Sequence, residues 1–342
     1  MSDREHWSGR IGIMLATVGS AVGLGSIWKF PYEVGTNGGG AFVFCYLAGL
    51  VIVVLPLLLA EFAIGRRGGA DPATALAHIA REHGRSPIWG LVGTLGVLSG
   101  FLILSFYSVV AGWALDYALT AVISAVIDIG AFTPQQRFDS LLASPARMLA
   151  FHAAFMTLTA AVIARGIVHG IEAACRVLMP VLIVMILALA VFSSVTGDAR
   201  AAVRYFFQFD FSKFSAFNAL EALGLGFFSI GVGLGVMITY AGYAGREISL
   251  RQVAVVTLLG DTAVSFMAGF AIFPVVFRAG LDPASGPGLM FVTLPIAFAQ
   301  LPYGSAWTFL FYLLLALAGL LRPYRFWNSP WHGLSGMLGW HA

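Results

Sequence analysis

Residues 19–26 read Gly19-Ser20-Ala21-Val22-Gly23-Leu24-Gly25-Ser26, in the middle of an apolar stretch that runs from about residue 11 to 31. Three glycines and two serines at mid-depth are unusual for a helix of that kind. Each glycine costs about 1 kcal/mol against alanine in a helix interior, so the run predicts an unwound segment unless packing holds it. A second run, Gly224-Leu225-Gly226-Phe227-Phe228-Ser229-Ile230-Gly231-Val232-Gly233-Leu234-Gly235, carries five more glycines inside a later apolar stretch. Small residues also permit close helix packing, and Gly19 with Gly23 fits that pattern. Two such runs at matching places are harder to explain by packing alone. When the spans are counted in fives the runs fall in corresponding positions, which points to an inverted-repeat transporter with a site at the breaks. Unwound backbone inside a bilayer is tolerated only where protein or a water-filled cavity satisfies it.

The composition places these runs in a membrane. The chain has 342 residues, 59% hydrophobic and 10% charged, against about 25% charged in an average soluble domain. The mean hydropathy of +0.88 and the 40 glycines have the same sense. Eight candidate spans lie at about 11–31, 40–64, 88–124, 148–164, 173–195, 216–240, 252–277 and 304–320. The net charge of +3 comes from 19 Lys and Arg scattered singly between apolar runs, so no nucleic-acid-binding patch forms. Cys45 and Cys175 make no disulfide framework. The polar start, Ser2 to Trp7, precedes no tidy cleavage site, and no signal peptide is expected. With the N-terminus inside, the cytoplasmic loops hold ten Lys and Arg and the outer ones seven, a modest bias toward a cytoplasmic N-terminus. The outer segment 278–303 is too rich in proline and glycine for a span and too apolar for a linker. It is expected to pack over the bundle as a re-entrant or capping hairpin.

The ordered motifs Arg4-Glu5-His6-Trp7, Gly19 to Pro31, Asn37-Gly38-Gly39-Gly40-Ala41-Phe42, Pro56-Leu57 with Glu61, and Gly65-Arg66 resemble the sodium:neurotransmitter symporter family. That family includes bacterial amino-acid symporters with the leucine-transporter fold. Similar matches continue through Arg165-Gly166-Ile167, Gly170-Ile171-Glu172, Phe227-Phe228-Ser229 and Ile238-Thr239-Tyr240-Ala241, to about residue 320. The resemblance implies an all-α polytopic membrane protein with an inverted five-helix repeat, broken helices 1 and 6, and sodium-coupled transport of an amino acid or related amine. A lipid bilayer, here the cytoplasmic membrane, and sodium ions are the implied partners; no organic cofactor is expected. A half-helix N-terminus suits an amino-acid carboxylate, and freed carbonyls suit sodium.

By the same resemblance, Ser20, Ala21, Gly23, Leu24 and Gly25 face the substrate from span 1, and Ile103 and Tyr107 from span 3. Tyr107 matches the tyrosine that hydrogen-bonds the substrate carboxylate. Phe228, Ser229, Gly231 and Leu234 line the opposite wall. The first sodium site takes the Ala21 carbonyl, Ser26, Ser229 and Asp261. Ser26 and Asp261 depart from the family's frequent asparagines, and an acid at mid-membrane costs about 3 kcal/mol or more and is functional by default. Chloride-dependent relatives build an anion site from residues that Tyr46, Ser229 and Ser265 match, but Leu225 stands where a glutamine is expected. With Asp261 present, chloride looks unnecessary. Lys29 matches the outer gate and Arg4 with Trp7 the inner gate, with acidic partners expected beyond this chain.

The text departs from the family after Leu320. Residues 321–342 contain Arg322, Pro323, Arg325 and Pro330 and keep no helical period. Read one base out of frame, the junctions Phe326–Trp327, Trp327–Asn328 and Trp331–His332 must encode Leu, Glu and Ala, which is similar to the family's span 8. The second sodium site, implied from the carbonyls of Gly19, Val22 and Ala318 plus two hydroxyls after Leu320, is incomplete in this text. The expectation is one transporter domain over 1–320 with an aberrant tail. The alternative is a non-transporting relative that acts at most as a membrane-embedded binding protein. No hydrolase or cofactor motif favours an enzyme.

Overall fold

The computed structural model describes Trp7 and residues 9–126, 133–209, 215–284 and 288–321. These segments are helical, because only a helix satisfies its own backbone in hydrocarbon without a closed barrel. In chain order the helices are α1 (Arg10–Ala21) and α2 (Gly25–Thr36), then α3 (Gly40–Gly68) and α4 (Pro72–Glu82). There follow α5 (Gly90–Val126), α6 (Pro134–Leu142), α7 (Pro145–Ile163), α8 (Val168–Thr196) and α9 (Ala199–Phe207). The remainder are α10 (Ala216–Ile230), α11 (Val236–Gly242), α12 (Leu250–Arg278), α13 (Leu289–Ala299) and α14 (Gly304–Leu321). Helices α3, α5, α7, α8 and α12 are each long and apolar enough to cross a membrane, and α1 with α2 forms one more span bent by 47°.

The span read at 216–240 is divided into α10 and α11, as its glycine run predicts. The division follows from the backbone: Gly231, Gly233 and Gly235 all have positive φ and end the helix. Helix α5, at 37 residues, is about 55 Å long and so outreaches a hydrocarbon core of about 30 Å.

Apolar side chains divide between an inner core and an outer belt. Phe30, Tyr46, Phe62, Tyr107 and Phe206 are wholly buried, whereas Val51 and Ile52 of α3, Leu95 and Phe101 of α5 and Val184 and Val195 of α8 are largely exposed. A belt of that size on a helical bundle faces lipid. Inside, glycine sets how closely helices approach. A Cβ at Gly65 of α3 would collide with the Ile238 carbonyl of α11. Gly65→Val is therefore expected to cost about 3 kcal/mol or more, read as a drop of several degrees in the thermal midpoint of the detergent-purified protein. An unchanged midpoint would show that the contact yields freely.

Within the segment 278–303, the described residues after 287 include the short helix α13, which packs against α5 and α14. The Tyr117 hydroxyl of α5 donates to the Phe291 carbonyl (3.1 Å) and the Tyr312 hydroxyl of α14 to the Met290 carbonyl (2.6 Å). Beside them Arg147 donates to the buried Asp116 at 2.7 Å. On α9, outside the spans, the Tyr205 hydroxyl donates to the carbonyls of Val34 and Gly35, and burial pushes its phenol up to about 12. Residues 322–342, where the sequence departs from the family text, lie outside the described residues.

Candidate functional site

Helix α1 stops at Ala21, and Val22 takes an extended conformation (φ −67°, ψ 115°). Ser20, Ala21, Val22, Gly23, Leu24 and Gly25 are all buried there. The Leu24 N–H, which the break takes out of the helical ladder, donates to the Tyr107 hydroxyl at 3.2 Å. Tyr107 therefore touches the first break from α5, with Ile103 half-buried one turn before it. Gly19 is still helical, and a Cβ on it would press on Met179 and Cys175 of α8, so its small size serves packing. A helix end leaves its last carbonyls without i+4 partners, and the Gly19, Ala21 and Val22 carbonyls, which the resemblance implies as sodium ligands, lie at this end of α1.

The second break begins at Gly231 (φ +76°) and continues through Gly233 (φ +85°) and Gly235 (φ +71°). Any side chain at these three positions would be strained. Three of the five glycines in the run lie in the break, as the sequence predicts. Gly224 and Gly226 remain helical, and Gly226 lies against Leu50 and Val54 of α3. The Glu61 carboxylate of α3 accepts the Gly233 N–H at 2.6 Å, which ties the break to a neighbouring helix. Leu234 is half-buried within the break.

Between the breaks lies a buried charge. Asp261 of α12 is wholly inaccessible and takes hydroxyls from three other helices. Ser26 donates to Oδ1 at 2.5 Å, Ser229 lies 2.9 Å from both oxygens, and Tyr46 donates to Oδ2 at 3.3 Å. Ser26 and Ser229 are themselves 3.0 Å apart. The donor set is oxygen only and carries one formal negative charge, which fits a hard monovalent cation and not a thiolate- or imidazole-seeking metal. No group of three or more His, Cys, Asp or Glu occurs among the described residues. Of the residues the resemblance implies for a second sodium site, Ala318 is fully buried on α14, which touches α1.

The gate residues divide. Arg4 lies outside the described residues. The Trp7 indole donates to the Tyr240 carbonyl (3.0 Å) and meets the Tyr240 ring edge-on, so it is fastened to α11. The Lys29 ammonium is 3.6 Å from Glu33, one turn further along α2, and sits 5.1 Å above the Phe228 ring, a local pairing separate from the acidic gate partner that the resemblance implies beyond this chain. Glu33 in turn accepts from Asn37, which Asn218 of α10 reaches. The sequence reading missed the roles of Glu33 and Glu61, although the rule that marks Asp261, an acid in apolar text, marks Glu61 as well.

Residues 4–127 and 143–326 match the model of the sodium:neurotransmitter symporter family. The chain belongs to that family. A sodium-dependent transporter of Bacillus subtilis, YhdH, is 37% identical over 95% of this chain and 71% of its own length. One from Haemophilus influenzae is 32% identical over 93% and 71%. The bovine sodium-dependent dopamine transporter is 28% identical and is matched over 52% of its length. The crystal structure of MhsT in complex with L-phenylalanine superposes with a TM-score of 0.90 at 37% identity, covering 98% of this chain and 76% of that one. This symporter-family protein is thus a multi-pass, all-α membrane protein with the inverted-repeat fold and broken helices 1 and 6. Its class is sodium-coupled transport, not enzymatic catalysis.

Proposed function

We propose that this protein couples sodium to the uptake of an amino acid with a bulky apolar or aromatic side chain across the cytoplasmic membrane, N-terminus inside. The observation that carries the reading is the Asp261 cluster between the two breaks. Sodium at Asp261, Ser26, Ser229 and the Ala21 carbonyl would neutralise a buried charge and link the two broken helices. The substrate carboxylate then meets Tyr107 and the N–H groups of the first break, beside Ser20, Gly23, Leu24 and Gly25. Gly231 and Leu234, with Phe228 and Ile103, leave room for a large side chain; the phenylalanine bound to MhsT agrees with that size. Gly19, Val22 and Ala318 supply part of a second sodium site, whose two hydroxyl ligands are absent at Leu321 and Arg322. Asp261 supplies the fixed anion, so chloride is not required.

Sodium-dependent binding of labelled phenylalanine to the purified chain tests this. Binding is expected in sodium chloride and in sodium gluconate alike, and not in choline chloride. Collapse in gluconate would refute the chloride claim, and equal binding in choline the sodium claim. Competition in which glycine or alanine outranks leucine and tryptophan would refute the substrate class.

A further inference from the structure

One face of α5 serves both breaks. Tyr107 meets the first; Ile103 and Gly96, four and eleven residues earlier, fall on the same helical face. Gly96 lies against the second break. A Cβ there would be 3.0 Å from the Gly233 oxygen, 3.0 Å from the Leu234 carbonyl carbon and 3.2 Å from the Gly235 nitrogen. All three neighbours are backbone, so no side chain can swing aside to make room. The break is also held from its other sides: Glu61 grips the Gly233 N–H, and the Pro72 ring lies against Gly235.

Resting on the transport reading above, we propose that Gly96 is a specificity-determining positioning residue, whose bare face lets residues 233–235 sit close enough to α5 for Leu234 to form the far wall of the substrate pocket. A methyl at 96 pushes that backbone away from α5 by a few tenths of an ångström. A large side chain that reaches the wall loses contact; a small one that never reaches it does not. Gly93, one turn earlier, is not equivalent, because its Cβ would meet Pro72 and Ala73 instead.

The test compares the wild-type chain, Gly96→Ala, and Gly224→Ala as a matched change in an intact helix with nothing within 4 Å of the added carbon. Sodium-dependent dissociation constants for phenylalanine and alanine are measured by competition, alongside the thermal midpoint. For Gly96→Ala the phenylalanine constant is expected to rise tenfold or more and that of alanine less than threefold, with a midpoint within a few degrees of Gly224→Ala. Equal losses for both amino acids, no loss for either, or a Gly96→Ala chain that does not fold while Gly224→Ala does would each overturn the assignment. A wild-type chain that binds no amino acid in sodium would instead defeat the transport reading itself.

Discussion

Asp261→Asn is expected to raise the sodium concentration for half-maximal substrate binding about a hundredfold. Opposite unit charges about 4 Å apart attract by roughly 4 kcal/mol at an effective dielectric of 20, which is about a thousandfold in affinity. An amide oxygen at the same place recovers part of that as a neutral ligand. The remaining deficit is an uncompensated cation among Ser26, Ser229 and Tyr46, the hydroxyls that now donate to the carboxylate. Chloride is therefore expected to restore part of the sodium affinity in the asparagine variant while leaving the wild type unaffected. Sodium titration of phenylalanine binding, in chloride and in gluconate, reads both effects. A variant with wild-type sodium dependence would remove Asp261 from the cation site.

Glu61→Ala is expected to lower substrate affinity on the order of tenfold to a hundredfold, with Glu61→Gln retaining most of it. The carboxylate accepts the Gly233 N–H at 2.6 Å, and a hydrogen bond to a charged group is worth about 1.5–3 kcal/mol. Alanine leaves that N–H without its acceptor at the break. Glutamine keeps an acceptor oxygen of similar reach. Dissociation constants for both variants at saturating sodium decide the matter, and equal affinities for alanine and glutamine variants would show that the grip on Gly233 is dispensable.

These two acids also mark how far the chain could be read as text. Asp261 was conspicuous because a motif surrounded it and a charge in hydrocarbon demands a reason. Glu61 met the same criterion, but its reason is a backbone N–H at residue 233, 172 positions away, and no local pattern encodes that pairing. The glycine run at 224–235 was legible as a disturbance and illegible in its extent. Gly224 and Gly226 are glycines like Gly231 and Gly233, yet they stay within α10, Gly226 packed against Leu50 and Val54 of α3. The Lys29–Glu33 pair is the opposite case, an i,i+4 spacing that is legible in the sequence.

The sequence by itself determined what local chemistry and ordered motifs can carry: a helical membrane protein, two breaks at matching places, the family, and the residue types at the breaks. Apolar run length and glycine cost act within a few residues, so they are readable in one dimension. Only the tertiary structure decided which atoms meet across those breaks. It brought Ser26, Ser229 and Tyr46 from three helices onto the Asp261 carboxylate of a fourth, set Tyr107 on the Leu24 N–H, and laid bare Gly96 against residues 233–235. Those contacts depend on where packing puts whole helices. That placement depends on side chains from the entire bundle at once.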